Sequence, residues 1–345
     1  MENLVTTFRK LHHEPNLLIL PNVWDAGSAR VFEDAGAKAV AMGVDAVLGW
    51  PNGLFTRIGH PVTWLGRLIG ALDARRNRTE DAPWKRRAAG IVTALIVIAL
   101  SSGLALAVQT AMPQGWSRFV LLGILAWPFV ALRSLHDHVG AVAHPLQSAD
   151  LAAARSAVSK IVGRDPANLD EAAIARAAIE SLAENTSDGI VAPLFWGVLF
   201  GLPGIVGYKA VNTLDSMIGH RSPRHEAFGW AAARIDDVAN FIPARLTGLL
   251  FALFAGERRS QAMSCMWTDA RHHRSPNAGW PEAAMAGALG IRLCGPRSYH
   301  GEMADEPWLN AAARDPAAVD VTRALELYVG VMFALAVVLA VMAFI

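Results

Sequence analysis

Carboxylates and carboxamides crowd the stretch from Ile179 to Arg245. Glu180, Glu184, Asn185 and Asp188 stand before an apolar segment, and Asn212, Asp215, Asp236, Asp237 and Asn240 stand after it. Such groups are costly to bury and are seldom set beside membrane-grade sequence without a task. The sharpest local pattern is RIDDVANFIPAR. On a helix Asp236 and Asn240 are i, i+4, with Asp237 alongside. Mg²⁺ favours one or two carboxylates completed by phosphate oxygens and water, so Asp236, Asp237 and Asn240 are the candidate Mg²⁺ ligands. Arg234 and Arg245 flank them and could fork a phosphate or carboxylate. An ion-paired Asp pair on an amphipathic helix would look the same in isolation. Two further oxygen-rich runs nearby, ENTSDG and NTLDSM, weigh against that reading. Glu180 and Glu184 share a face near the C-terminus of their helix, where the macrodipole disfavours negative charge and a cation or a substrate ammonium would relieve it.

Other chemistries are poorly served. His220, His225, His272 and His273 do not make an HExxH pattern and have no evident third partner, so metal ligation by histidine is not expected. His273 and Arg274 read as a phosphate or carboxylate contact. Cys265 and Cys294 form no CxxC and read as small thiols. GLPGIVGYK fails the phosphate-loop spacing. Neither a Gly-x-Ser-x-Gly elbow nor a dinucleotide fingerprint is present, so covalent acyl-enzyme chemistry is not suggested. A net charge of +1 gives no reason to expect a nucleic-acid partner.

The elements that must position these groups are mostly apolar. Of the 345 residues 53% are hydrophobic and only 18% charged, below the roughly 25% of soluble domains. With a mean hydropathy of +0.30 this points to an integral membrane protein carrying sizeable aqueous segments. Ala88–Met112 has no charged residue and is a strong span; Leu325–Ile345 is the second. Residues 118–133 form a further span that Pro128 would kink. The loop holding Arg75, Arg76, Arg78, Lys85, Arg86 and Arg87 is cytoplasmic by the positive-inside rule. Ile190–Val211 contains Pro193, Pro203, several glycines and Lys209, which suits a re-entrant or broken segment better than a plain span. Residues 246–256 are short for a crossing and read as interfacial or spanning. If neither of these two segments crosses fully, both polar clusters face the cytoplasm. Between the spans lie amphipathic helices at Trp64–Leu72, at Leu151–Ile161 and from an Asp170 cap to about Asn185.

Residues 1–42 read differently: a strand at Leu17–Leu20, a helix at Ser28–Ala35, then a short apolar strand. LPNVWDAGSAR and AGAKAVA resemble the start of the phosphoenolpyruvate mutase/isocitrate lyase superfamily. The likeness covers about 40 residues where such a barrel needs roughly 250. It is therefore taken as a fused fragment or gene-start artefact without lyase chemistry. The fold class is mainly α: a polytopic membrane protein with amphipathic cytoplasmic helices, re-entrant segments and a short N-terminal β/α fragment.

From residue 43 on, GHPVTWLGRLI, IVGRD, AAIESLAENTSDGIVAPLFW, YKAVNTLDSMIGH, FGWAAARIDDVANFIPARLTG and HRSPNAGWPEAAMAGALG closely resemble adenosylcobinamide-phosphate synthase, the CobD/CbiB family. The resemblance implies a multi-pass inner-membrane amide synthase that joins adenosylcobyric acid to aminopropanol or its phosphate, using ATP and Mg²⁺ and no tightly bound prosthetic group. Membrane lipid and other late cobamide-assembly enzymes are its implied neighbours. On that chemistry Asp215, Asp236, Asp237 and Asn240, with Arg234 and Arg245, are assigned to Mg²⁺–ATP. Glu180, Glu184 and Asp188 are assigned to the ammonium and base role. Asn185, Lys209, Asn212, His273, Arg274 and Asn277 are assigned to the substrates. The competing reading is a Mg²⁺-dependent membrane prenyltransferase, which would need a second Asp-rich motif. A transporter would need an internal repeat.

Overall fold

The computed structural model describes residues 26–113, 115–162, 166–299, 302–304 and 306–343. The chain is helical almost throughout, with two short antiparallel ladders: β1 (Leu293–Cys294) with β4 (Trp308–Leu309), and β2 (Arg297–Tyr299) with β3 (Glu302–Ala304). Helices α1 (Ala26–Leu48), α2 (Asn52–Ile58) and α3 (Pro61–Arg76) precede α4 (Pro83–Ala111). Helix α4 buries a seam of Gly90, Ala94, Val97, Ser101 and Ala105 while Leu95, Leu100 and Leu104 are exposed. Small residues inside and large apolar residues outside is the pattern of a helix solvated by lipid. The last helix, α14 (Ala318–Met342), repeats it with Phe333 and Val338 exposed. Among the described residues four helical runs are long and apolar enough to cross, at Pro83–Ala111, Ser117–Gln147, Glu171–Gly219 and Ala318–Met342. The protein is a mainly α polytopic membrane protein.

The run expected to span at 118–133 is interrupted. Helix α5 (Trp116–Ala126) gives way to a 3₁₀ turn at Trp127–Phe129 and an extended Val130, and α6 (Leu132–Gln147) resumes. Pro128 sits in that turn, as its missing N–H requires. The short α7 (Leu151–Val158) follows, then α8 (Glu171–Thr186), where Asp170 Oδ1 accepts the Ala173 N–H at 2.8 Å and fixes the start.

Helix α9 (Ala192–Leu214) decides the topology. Gly201 adopts φ 68°, ψ −147°, a conformation close to glycine-only, and the chain turns back there. A Cβ on Gly204 would lie 2.0 Å from the Trp196 carbonyl, and one on Gly197 3.4 Å from Ile205 Cβ. Residues eight apart on a straight helix are about 12 Å apart. Tyr208 Oη lies 3.3 Å from the Asp188 carbonyl, twenty positions back. Ala192–Leu214 is thus a helical hairpin with arms of about 14 and 20 Å, each short of the roughly 30 Å hydrocarbon core. Its tip is settled by α4: Gln109 Oε1 accepts the Leu202 N–H at 2.6 Å, and Pro203 has no N–H to satisfy. Both ends of Ala192–Leu214 therefore lie at the same end of the hairpin.

Helices α10 (Trp230–Ala239) and α11 (Phe241–Phe254) meet at Asn240 with a 46° bend. Beyond them α12 (Arg259–Asp269) and α13 (Gly279–Leu289) pack on each other, and nearly every residue of α13 is buried.

The N-terminal reading needs correction. The strand at Leu17–Leu20 lies outside the described residues. The strand read before residue 42 is instead helix, because α1 runs unbroken from Ala26 to Leu48 through the boundary drawn there. Ala35, Ala37, Ala41 and Met42 are buried against α5, α9 and α14. A short apolar run does not distinguish a buried strand from a buried helix. Asp45 then accepts the Arg133 N–H at 2.9 Å, pinning α1 to the start of α6.

Candidate active site

Two π-helical turns, Ser187–Val191 and Asp215–Gly219, lie at the feet of the hairpin, and each carries an aspartate at or next to its first residue. Such turns are frequent at functional sites. The bend at Asn240 brings α10 alongside. Tyr208 Oη donates to Asn240 Oδ1 at 2.8 Å, and Asn240 Nδ2 donates to Asp236 Oδ2 at 2.9 Å. Trp196 Nε1 donates to the Ala239 carbonyl at 3.0 Å, tying the first arm to the same bend. The i, i+4 relation of Asp236 and Asn240 is thus a direct contact.

Asp215, Asp237 and Glu184 all act electrostatically on Asp236, and Asp236 and Glu184 act on Asp188. Asn240 is buried, and Asp188, Asp215, Asp236 and Asp237 are half-buried. Like charges held this close need a counter-ion or a shared proton. Lys209 interacts with Asp188. Asp236 Oδ1 is buried and makes no hydrogen bond. An all-oxygen set with one bare, buried carboxylate oxygen fits a hard divalent cation such as Mg²⁺.

Beside this cluster opens a cleft of about 750 Å³ lined by Asn185, Lys209, Asn212, Lys160, His138 and Ser216 among others. It touches the carboxylates through Lys209. The loop joining the two halves of the site, residues 220–229, is held by α3. Arg224 donates to Asp73 Oδ2 at 2.9 Å, and Asn77 Nδ2 donates to both Asp73 Oδ1 and the Arg224 carbonyl at 2.8 and 2.9 Å. Burial pushes the Asp73 carboxyl up, but hydrogen bonds from Asn77, Arg224 and His225 outweigh it and hold the group below its ordinary value.

The sequence-derived residues separate into those brought together and those not. Glu184, Asp188, Asp215, Asp236, Asp237 and Asn240 share one neighbourhood, with Asn185, Lys209 and Asn212 at its cleft. Arg234 pairs with Asp237 at 3.2 Å on an exposed surface. Asn277 Nδ2 reaches the Asp237 carbonyl at 2.8 Å, so its contact is with α10. Arg245 is turned away. Its guanidinium covers the rings of Phe241 and Trp280 and donates to the Phe241 carbonyl at 2.6 Å. Glu180 is buried, and its Oε1 accepts the Cys294 N–H at 2.7 Å. His273 lies 3.7 Å from Glu282, and Arg274 lies 3.7 Å from Glu306. Sequence reasoning passed over Tyr208 and Glu282. The signal for each was a polar tip within an apolar run, GIVGYKAV and WPEAAMAGAL.

A mainly helical bundle with several membrane-length apolar runs and a cluster of carboxylates defines the class: a polytopic membrane protein. The profile of the CobD/Cbib protein family matches residues 38–328, and the chain belongs to that family. It is 60% identical over 309 residues to the cobalamin biosynthesis protein CobD of Rhodobacter capsulatus, covering 90% of this chain and 97% of that one. The protein of the same name from Sinorhizobium fredii is 48% identical over 81% of this chain and 88% of its own length. That from Brucella suis is 46% identical over 84% and 91%. A phosphoenolpyruvate phosphomutase profile also matches, over residues 8–54 alone. No solved structure matches.

Proposed function

We propose that the chain acts in cobalamin biosynthesis as an ATP-dependent amide synthase, joining the propionate carboxylate of adenosylcobyric acid to aminopropanol or its phosphate at the cytoplasmic face of the inner membrane. The observation that carries this reading is the convergence of Asp188, Asp215, Asp236 and Asp237 around one bare carboxylate oxygen, beside a Lys209-lined cleft, in a member of the CobD/Cbib family.

Asp236 and Asp237, with Asn240 holding Asp236 in place, would bind Mg²⁺. The ion supplies charge neutralisation for the triphosphate when bound. Lys209, between cleft and carboxylates, orients the substrate carboxylate. Its oxygen attacks the γ-phosphorus of ATP, ADP leaves, and an acyl phosphate forms. The amine nitrogen then attacks the acyl carbon and phosphate leaves. Glu184 is exposed and Asp188 half-buried beside it, so either carboxylate can hold the substrate ammonium and take its proton. Arg234, whose exposed guanidinium pairs with Asp237, is placed to reach the departing phosphate.

The test is ATP-dependent conversion of adenosylcobyric acid plus aminopropanol phosphate by membranes containing the full chain, with ADP release followed in parallel. Product that depends on ATP, Mg²⁺ and Asp236 supports the reading. Well-folded protein that forms no product with either amine overturns it.

A further inference from the structure

A second convergence of ligand-type side chains lies away from the aspartates. His273 follows the 3₁₀ turn Ala270–His272, Glu282 is in the first turn of α13, and Cys294 is in β1. One ligand atom from each lies within 4.8 Å of the others. Cys294 Sγ is 3.1 Å from Glu282 Oε2, and His273 Nε2 is 3.7 Å from the same oxygen. Tetrahedral Zn²⁺, with bonds of about 2.0–2.3 Å to N, O and S, requires ligand–ligand edges of roughly 3.3–3.6 Å. The two edges to Glu282 bracket that value, and the third lies within 4.8 Å.

The surroundings are built for these three groups. Glu282 and Cys294 are buried. Cys294 has φ 59°, a left-handed conformation uncommon outside glycine, and Glu180 Oε1 fixes it by accepting its N–H. A Cβ on Gly279 would stand 2.5 Å from His273 Cβ, so glycine there lets the histidine approach α13. His273 Nδ1 accepts the Ser275 N–H at 3.0 Å, which orients the ring, and lies 3.3 Å from the Ser275 carbonyl oxygen. With a metal on Nε2 the ring proton would move to Nδ1, exchanging the Ser275 N–H bond for one to the Ser275 carbonyl.

We propose that His273, Glu282 and Cys294 form a mononuclear Zn²⁺ site, distinct from the Asp236 cluster and additional to the amide-forming reaction. A mixed N, O and S set selects a borderline-soft ion over Mg²⁺. On binding, the Cys294 S–H bond breaks and its proton passes to water. The thiolate and the Glu282 carboxylate then balance the double charge of the ion. Among the described residues three side chains supply ligands, so a further position would go to water or a substrate oxygen, and Asn277 ties this loop to Asp237.

The test uses the purified full-length protein in detergent, titrated with Co²⁺ and then Zn²⁺. The expected result is a near-ultraviolet thiolate-to-cobalt charge-transfer band that saturates at a single equivalent and that Zn²⁺ erases. Cys294→Ser abolishes the band, Cys265→Ser retains it, and Glu180→Gln weakens Zn²⁺ binding by roughly 10–100-fold. Folded wild-type protein that gives no such band in excess Co²⁺ overturns the proposal. So does a band lost in Cys265→Ser rather than Cys294→Ser. If Cys294→Ser fails to fold, saturation and Zn²⁺ displacement in the wild type decide alone. These readouts do not involve turnover, so they stand whether or not the synthase reading does.

Discussion

Replacing Gly201 with alanine tests the re-entrant hairpin most directly. At φ 68°, ψ −147° an L side chain is strained by about 1–3 kcal/mol. The new Cβ would also lie 2.4 Å from Gln109 Oε1. That oxygen accepts the Leu202 N–H, so pushing it aside strands a buried donor at a further cost of about 1–3 kcal/mol. The sum is about 2–6 kcal/mol, and at roughly 2–4 °C per kcal/mol the melting temperature in detergent falls by many degrees. Gln109→Ala alone loses the acceptor. Combined with Gly201→Ala it removes the clash and leaves the backbone strain plus the single unpaired Leu202 N–H. The double mutant should therefore be less destabilised than the two single costs added, by about 1–3 kcal/mol. The assay is thermal unfolding of the four proteins of the cycle in one detergent. A Gly201→Ala protein as stable as wild type would refute the reversal and restore a straight Glu171–Gly219 span. Strict additivity would refute the contact with Gln109.

Asp236→Asn removes the bare charge while keeping the side-chain volume, and ATP-dependent product formation should drop on the order of 10²-fold or more with insertion intact. Near-normal turnover would remove Asp236 from the site. Tyr208→Phe leaves the buried Asn240 Oδ1 without its donor, a loss of about 1–3 kcal/mol, seen as lower thermal stability and slower turnover. Asp315 accepts hydrogen bonds from Arg292 at 2.6 and 2.9 Å and pairs with Arg176, and these hold its carboxyl below the ordinary value. Its contribution is therefore full above the ordinary carboxylate pKa and disappears as pH falls through the depressed folded-state value. The stability gap between wild type and Asp315→Asn should stay constant at neutral pH and close in acid, as followed by unfolding across pH.

Several elements were readable because one local rule decided each. The absence of charge in Ala88–Met112 marks α4, and Asp170 caps α8. Asp236 and Asn240 meet because four residues on a helix share a face. The proline and glycines of GLPG announced a break, yet its direction was not legible. A reversal and a kink carry the same letters, and what settles the matter is Gln109, ninety-three positions earlier. The N-terminal strand was misread because burial among helices, rather than propensity, determines the state of AGAKAVAM. His273 seemed to lack a third partner because Glu282 and Cys294 reach it through tertiary packing. Arg245 beside RIDDVANF suggested a phosphate fork, but two aromatic rings claim it.

Helix α13 sets a condition on how this protein is made. Of its residues only Trp280 is not fully buried, and the rest are mostly alanine and glycine with one carboxylate. It has no broad apolar stripe to offer lipid and no polar face to offer water. Its walls are α8, α11 and α12, which leave the ribosome before it, and α14, which leaves after it. The burial of α13 is therefore complete only once helices made before it and α14, made after it, are both in place. A chain arrested before α14 would carry a helix with no compatible solvent, which makes it a ready substrate for membrane quality-control proteases.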